Sequence, residues 1–551
     1  MTARIFIVCV CFVFVAFVSS AQSKKKPEKK ANPALDWQLR AFDTDKVYGA
    51  EVLKAYEYLK GREPKMKTIV AIIDGGTDIE HEDLKASLWV NRGEIPGNGI
   101  DDDGNGYIDD VHGWNFAGYA DGSQLSSSSL EADREYLLLS KKFEGVDTSR
   151  LSKKAYREYR YFKEEVEPFS FIWQTGQNIE EAKVAVRYIE QFEKELRAKH
   201  PGKKFFTSKH FTGIMDENEA DTDRIRAFRF FLSKWRKEPL ANWNKFYAKR
   251  HVLVSEAEQE HQKRIDVTVA SENERASLGD NQTKASDRIY GNNNLFAQPS
   301  SIHGMHVGGI AGATRNNGIG IDGIADVELM FIRVSDGAGD ERDKDVASAI
   351  RYAVDNGARV INMSFGKRTS PGKKMVADAM RYAEKKGVLL VHAAGNDGAS
   401  LKVHHLYPTK HITAKKILKN WISVGSIGMV GQPAMSSNYD KNEVDVFAPG
   451  DGIYSSVPDN KYMSLRGTSM AAPVVTGVIA LIWNYFPELS PWEVKQAVLE
   501  GVTVRKGEKV GKPGTRGKEE VDFEELCSTG GILNALGAVK VAERLSMEKS
   551  K

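Results

Sequence analysis

The residues from Arg466 to Tyr485 (RGTSMAAPVVTGVIALIWNY) constrain this chain more than any others. After the small polar turn Gly467-Thr468-Ser469, residues Ala471, Ala472, Val475, Val478, Ile479, Leu481 and Ile482 predict a helix apolar almost all round. Such a helix has no face to show to water, so it belongs in the middle of a large core. Pro473 fits a first helical turn, where its missing N–H has no intrahelical partner to lose. Ser469 then stands where a buried helix begins, beside free N–H groups and the positive dipole end. That position suits a hydroxyl that must develop and shed negative charge. The same residues also read as a Ser/Thr cap on a core helix, and other segments must decide.

A core of that kind needs a long chain, and 551 residues with 41% hydrophobic content supply one. Arg4, the apolar run Ile5 to Val18 and the exit Ser19-Ser20-Ala21 read as a secretory signal peptide cleaved after Ala21. The run is short for a bilayer span. Cys9 and Cys11 leave with it, so Cys527 stands alone and no internal disulfide is expected. No cysteine follows the apolar run, which argues against a lipid anchor. Lys24 to Lys30, beside Pro27 and Pro33, reads as a solvated linker. The net charge of +3 is small for this length and gives no case for a nucleic-acid partner. No other segment reads as a membrane span. The expectation is an exported monomer, in periplasm or medium, without a transmembrane anchor.

Thr68 to Ile73 (TIVAII) is a fully apolar, β-branched run of the kind that forms a buried parallel strand. It ends at Asp74-Gly75-Gly76, and a carboxylate at a strand's carboxyl end is a common place for chemistry in open α/β sheets. The acidic loop NGIDDDGNGYIDD comes next. Asp101, Asp103, Asn105, the backbone at Tyr107 and Asp109 alternate around Gly106, which suits a hard cation such as calcium. His112 stands where an EF-hand loop has its glutamate, so this is not a full EF-hand; Asp110 is the nearest substitute.

Between about 126 and 287 the composition turns to long charged helices. Asn178 reads as a cap for a helix over Ile179 to Leu196, with Glu181 in the capping-box position. Ala182, Val186, Ile189, Phe192 and Leu196 form its apolar stripe, and Ile225, Phe228, Phe231, Leu232 and Trp235 form another. Disordered linkers lack such aromatics. These residues predict a helical lid or docking unit set into a larger domain.

SSIHGMHVGGIAGA places His303 and His306 three apart at the start of a small-residue helix. Zinc ligation would need a third ligand and a HExxH-type glutamate, neither of which is nearby. The favoured reading makes His303 a functional base and His306 a buried, hydrogen-bonded companion. Strands and helices then alternate: strands over Val327 to Val334, Arg359 to Met363, Val388 to Ala394 and Asn420 to Ser426, with helices over Ala347 to Asn356 and Met375 to Lys386. That alternation predicts an α/β fold, a mostly parallel sheet covered by helices on both faces. Asp74, Ser364 and Asn396 would all fall at carboxyl ends of strands.

Taken together, AIIDGGTDIEHEDL, HGMHVGGIAGA and GTSMAAP resemble the aspartate, histidine and serine motifs of the subtilisin-like serine peptidases, in that family's order. VINMSFG and AAGN resemble its cleft-lining and oxyanion segments, and VDVFAPGDGIYSS and GGILNALGAV its flanking stretches. IPGNGIDDDGNGYIDDVHGWNF looks like an exported bacterial branch of that family. The resemblance implies a three-layer subtilisin-like fold with residues 51–118 and 286–545 as the catalytic domain. An extension over 22–50, a helical insertion over 119–285 and a tail over 546–551 would complete the chain. It also implies a serine endopeptidase acting on proteins or peptides, needing no cofactor beyond a structural calcium. Ser469 would be nucleophile, His303 base, Asp74 its orienting carboxylate and Asn396 an oxyanion donor. Ser364, Phe365, Gly366, Ala393, Ala394 and Gly395 would line the substrate.

Departures from the family pattern are Met305 for a threonine, Lys367 for a second glycine and Val474 for a histidine. The stretch between the expected cleavage site and Asp74 is also too short for the usual inhibitory propeptide. Two other readings compete: a binding protein with a peptidase fold whose cleft the insertion gates, and an α/β-hydrolase esterase. The Asp-His-Ser order, and Ala471 where a nucleophile elbow has glycine, count against the esterase.

Overall fold

The computed structural model describes residues 35–215, 220–237, 243–335, 339–413 and 415–550. The expected signal peptide over 1–21 and the basic stretch Lys24 to Lys30 lie outside the described residues, as does the Trp235 side chain.

The apolar runs become the strands of one nine-stranded sheet. In chain order these are β1 (Thr68–Asp74), β2 (Gly113–Asn115), β3 (Val327–Arg333), β4 (Val360–Met363) and β5 (Leu389–Ala393). They continue with β6 (Trp421–Ile427), β7 (Val446–Pro449), β8 (Thr503–Val504) and β9 (Gly531–Ile532). Their spatial order is β8-β9-β7-β6-β5-β4-β1-β3-β2, parallel except for the β8–β9 pair at one edge. β1 lies between β3 and β4, so the chain leaves it in both directions and opens a crevice at its carboxyl end.

Successive strand residues point to opposite faces, and here both faces are buried. Val70, Ile72, Leu329 and Phe331 join one core cluster, while Ala71, Ile73, Met330 and Ile332 join the other. Long helices fill the insertion and flank the sheet. The insertion contributes α1 (Glu131–Phe143), α2 (Phe171–Lys199), α3 (Thr222–Lys237) and α4 (Leu253–Ala276). Around the sheet lie α5 (Ser301–Gly312), α6 (Asp343–Asp355), α7 (Lys373–Lys386), α8 (Thr468–Tyr485), α9 (Pro491–Glu500) and α10 (Ala535–Lys549). α5, α8, α9 and α10 cover the first face; α6 and α7 cover the second.

α8 is the all-round apolar helix. By length and composition it could cross a membrane, contrary to the expectation that no such segment exists, yet 89% of it is buried inside the protein. Truncating one of its core side chains, Ile479→Ala for example, would cost about 2–5 kcal/mol. Pro473 is not in its first turn. The helix begins at Thr468, so the proline sits in the interior, where it deprives the carbonyl of Ser469 of its i+4 donor. The Ser364 hydroxyl takes the missing place, donating to that carbonyl at 2.9 Å.

The insertion has its own core of Ala182, Ile189, Phe192, Leu196, Phe231 and Trp243. α2 begins at Phe171, not Ile179. Ser170 caps it by accepting the Trp173 N–H at 3.1 Å, and Asp133 of α1 fixes both the Ser170 hydroxyl (2.7 Å) and the Ile172 N–H (2.9 Å). Asn178 is therefore an interior residue, because a tertiary partner chose the earlier cap. The insertion's two ends are tied together, since Glu274 of α4 accepts the N–H groups of Ser126 and Ser127 at 2.6 and 2.9 Å. Cys527 is free and buried.

Candidate active site

The site is assembled at the carboxyl ends of β1, β4 and β5 and at the first turns of α5 and α8. Asp74 closes β1 and is 5% exposed. Its Oδ1 accepts the Gly75 N–H and His303 Nδ1–H, both at 2.7 Å. Glycines allow that approach. A Cβ on Gly75 would lie 2.3 Å from the Ser300 carbonyl oxygen, and one on Gly304 would lie 2.3 Å from that of Gly76. The start of α5 thus rests directly on the turn after β1, which brings His303 to Asp74.

Burial alone would lower the His303 pKa, but the charge and hydrogen bond of Asp74, helped by Glu341, raise it overall. The imidazole is thereby held with Nδ1 protonated, which leaves Nε2 as its basic nitrogen. His306 is fully buried, with Nε2 against the Met463 carbonyl at 3.1 Å, and burial depresses it to about 4. It is the neutral companion the sequence suggested. Met305 and Val474, two of the departures, are simply core residues.

Ser469 is the second residue of α8. Its hydroxyl donates to the Ser364 carbonyl at 3.0 Å, while the Ser364 hydroxyl answers on the Ser469 carbonyl. This reciprocal pair, with Asn362 donating to Ser364 Oγ at 2.9 Å, bolts the end of β4 to the start of α8. Thr468 does the same for β5. Its N–H donates to Asn396 Oδ1 at 2.9 Å, and its hydroxyl accepts the Gly395 N–H at 3.0 Å. With Oδ1 engaged, the NH₂ is the part of the Asn396 amide left to donate.

These residues open onto one cleft of about 1070 Å³. Asp74, His303, Ser364, Phe365, Gly366, Ala393, Gly395, Asn396 and Ser469 all line it. Ala394 does not, contrary to expectation. As the next residue of an extended segment it points the other way, packing with Ile427, Val444 and Phe447. Leu406 closes one end, 2.7 Å from where a Cβ on Gly366 would sit and 2.9 Å from one on Gly395.

Several lining groups carry no motif. Leu130, Ala132, Phe169, Phe171 and Gln174 come from the insertion, which therefore forms one wall. Lys367 is buried beneath that wall, its Nζ within 2.7 Å of Glu131, 3.0 Å of Asp343 and 2.6 Å of the Glu341 carbonyl. Burial opposes the charge on Lys367 and on Glu131, but their mutual attraction, with Arg134 at 2.9 Å from Glu131, raises the lysine's pKa and lowers the carboxyl's. In the sequence, only the position of Lys367, in place of a glycine, signals this network.

The acidic loop is drawn together differently from its spacing. Carboxylate oxygens of Glu94, Asp101 and Asp103 lie within 4.8 Å of one another, a set of hard donors suited to a divalent cation. Asp109 is not among them; its carboxylate accepts the N–H groups of Gly97, Asn98 and Gly99. Asn105 spends its amide on Asp103 and Asp110, and the Tyr107 ring is buried with its hydroxyl on the Arg288 carbonyl. Asp110 accepts from Asn91 and Tyr352 at 2.6 Å each, and burial pushes its carboxyl up to about 6. Glu94 precedes the alternating loop, so the loop's spacing does not announce it.

A parallel α/β sheet with a cleft lined by a carboxylate–imidazole pair and by a serine at a helix start has a subtilisin-like architecture. Residues 65–516 match the model of the subtilase family, and the chain belongs to that family. It is 40% identical over 181 residues to a thermophilic serine proteinase of Bacillus sp. (strain AK1), covering 33% of this chain and 42% of that one. It is 38% identical over 191 residues to thermitase of Thermoactinomyces vulgaris, covering 34% and 64%. The chain thus spans less than two thirds of either relative's length. A solved protease structure from Pseudoalteromonas arctica aligns at 30% identity and a TM-score of 0.35, covering 46% of this chain and 74% of that one.

Proposed function

We propose that the protein is an exported serine endopeptidase that cleaves protein or peptide substrates through an acyl-enzyme on Ser469. The observation that carries this reading is the Asp74–His303 hydrogen bond at the mouth of a cleft that Ser469 and Asn396 also line. In the proposed reaction His303 Nε2 takes the Ser469 proton as Oγ attacks the carbonyl carbon, then returns it to the leaving amine. Asp74 holds the tautomer and stabilises the imidazolium. The Asn396 NH₂ and the Ser469 N–H bind the oxyanion. Before attack, the Ser469 hydroxyl must leave the Ser364 carbonyl and turn to His303. A substrate backbone N–H that pairs with Ser364 would release it, coupling binding to activation.

Labelling by a fluorophosphonate tests this directly. Label on Ser469 in the wild type, and none in Ser469→Ala or His303→Ala, is the expected result. A folded protein that neither labels nor cleaves unfolded protein would refute it.

We further propose that Glu94, Asp101 and Asp103 hold a structural calcium ion, and that residues 1–21 direct export. Calcium binding is read by a melting shift in the Ser469→Ala protein, independently of activity. Export is read by the amino-terminal residue of the protein recovered outside the cytoplasm.

A further inference from the structure

Among the described residues, every charged side chain lining the cleft has a partner except one. Arg368 pairs with Asp397 at 2.5 Å, and Asp340 accepts the Glu131 N–H at 2.8 Å. Lys367 is held between Glu131 and Asp343, and Asp74 is committed to His303. Glu341 remains. Its backbone carbonyl is fixed by Lys367 Nζ, so the residue is anchored in the cleft wall. Its carboxyl meets no donor beyond its own backbone N–H. Burial, with Asp340 and Asp74 adding repulsion and Lys367 only partly offsetting it, pushes that carboxyl up to about 8. Without a counter-charge such a carboxyl holds its proton at neutral pH, and a cation delivered by a ligand would draw that proton off and pair with the carboxylate. Glu341 also lies close enough to His303 for its charge to be felt there. A cation satisfying Glu341 would therefore sit in the cleft that His303 and Ser469 also line.

Resting on the peptidase reading, we propose that Glu341 selects substrates carrying a lysine or arginine side chain next to the bond that is cut. The lysine of the cleft cannot serve instead, because two carboxylates already hold it. An acidic side chain at the same place would face Glu341, Asp340 and Asp74 together.

The test uses pairs of fluorogenic peptides identical except for lysine against norleucine, with that residue moved through each position flanking the cleaved bond. Rates are normalised to the fraction of protein labelled at Ser469 by a fluorophosphonate, so misfolded protein does not enter. In the wild type, one position gives a lysine-over-norleucine ratio in kcat/KM of about 10–100-fold, the range of a charge-assisted hydrogen bond. That ratio collapses toward one in Glu341→Gln and survives in reduced form in Glu341→Asp, which keeps the charge. A wild type that shows no basic preference at any position overturns the proposal, as does a ratio unchanged in Glu341→Gln. Failure of the wild type to label or cleave at all is a different outcome. It removes the peptidase reading, and this inference with it.

Discussion

The floor of the cleft and its inserted wall are built by opposite means. On the floor, backbone meets backbone. Glycines at 75 and 304 let α5 rest on the β1 turn, and neutral hydrogen bonds from Ser364 and Thr468 pin the start of α8 to β4 and β5. The wall from the insertion is held by charge, with Lys367, Glu131, Arg134 and Asp343 neutralising one another out of water. Short neutral contacts fix positions to a fraction of an ångström, as bond-making requires. A buried ion network is strong only while complete. The two regions should therefore fail in different ways.

The largest expected effect belongs to the floor. Ser469→Ala or His303→Ala should lower kcat by on the order of 10⁴–10⁶ while urea unfolding stays close to wild type. Asn396→Ala should cost roughly 10²–10³ in kcat with KM little changed. An equal loss of stability in these variants would erase the contrast.

On the wall the order reverses. Lys367→Met leaves Asp343 buried without its cation and Glu131 with Arg134 alone, and should destabilise by about 3–5 kcal/mol. The folded fraction should keep its Ser469 labelling. Loss of labelling in folded protein would mean that the wall also positions the nucleophile.

Acid should separate the regions by pH. Burial holds His306 near 4 and His392 near 3 in the folded floor, below their ordinary 6.5. Stability from these groups is full above 6.5 and is lost as pH falls through the folded values, at about 1.4 kcal/mol per unit for each group. Glu131 is likewise depressed, so its contribution is full above its ordinary 4.5 and declines only below that. Asp110 at about 6 and Glu341 at about 8 are raised and oppose this loss as pH falls, so the imidazole share is read in urea as the gain of His306→Gln over wild type, which should set in below pH 6.5. An onset only below 4.5 would assign acid sensitivity to the wall.

The smallest effect concerns neither region. Chelating calcium should lower stability by about 2.7 kcal/mol if the ion is present at a hundredfold its Kd. Asp101→Asn should abolish that difference, and Asp109→Asn should not.

What could be read from the sequence was what is local. Apolar runs such as Thr68 to Ile73 bury both faces and so announce parallel strands, and the all-round apolar run from Ala471 to Ile482 announced a buried helix. What could not be read depended on partners far along the chain. Ser170 displaced Asn178 as the cap of α2 because Asp133 supports it. The carboxylates that come together in the acidic loop are those of Asp101 and Asp103 with Glu94, which lies outside the alternating stretch, while Asp109 turns to the N–H groups of residues 97 to 99. The isolation of Glu341 is a property of the cleft, since its neighbours in sequence are as charged as it is.

Pro473 shows how far such remote partnership reaches. By withholding one N–H it makes the carbonyl of Ser469 depend on a strand more than a hundred residues away. Helix and strand are thereby joined through two reciprocal hydrogen bonds, with Ser469 at the junction. Pro473→Ala would hand that carbonyl back to the helix and uncouple the joint. The register between the Ser469 hydroxyl and the end of β4 would be lost, although neither had been altered.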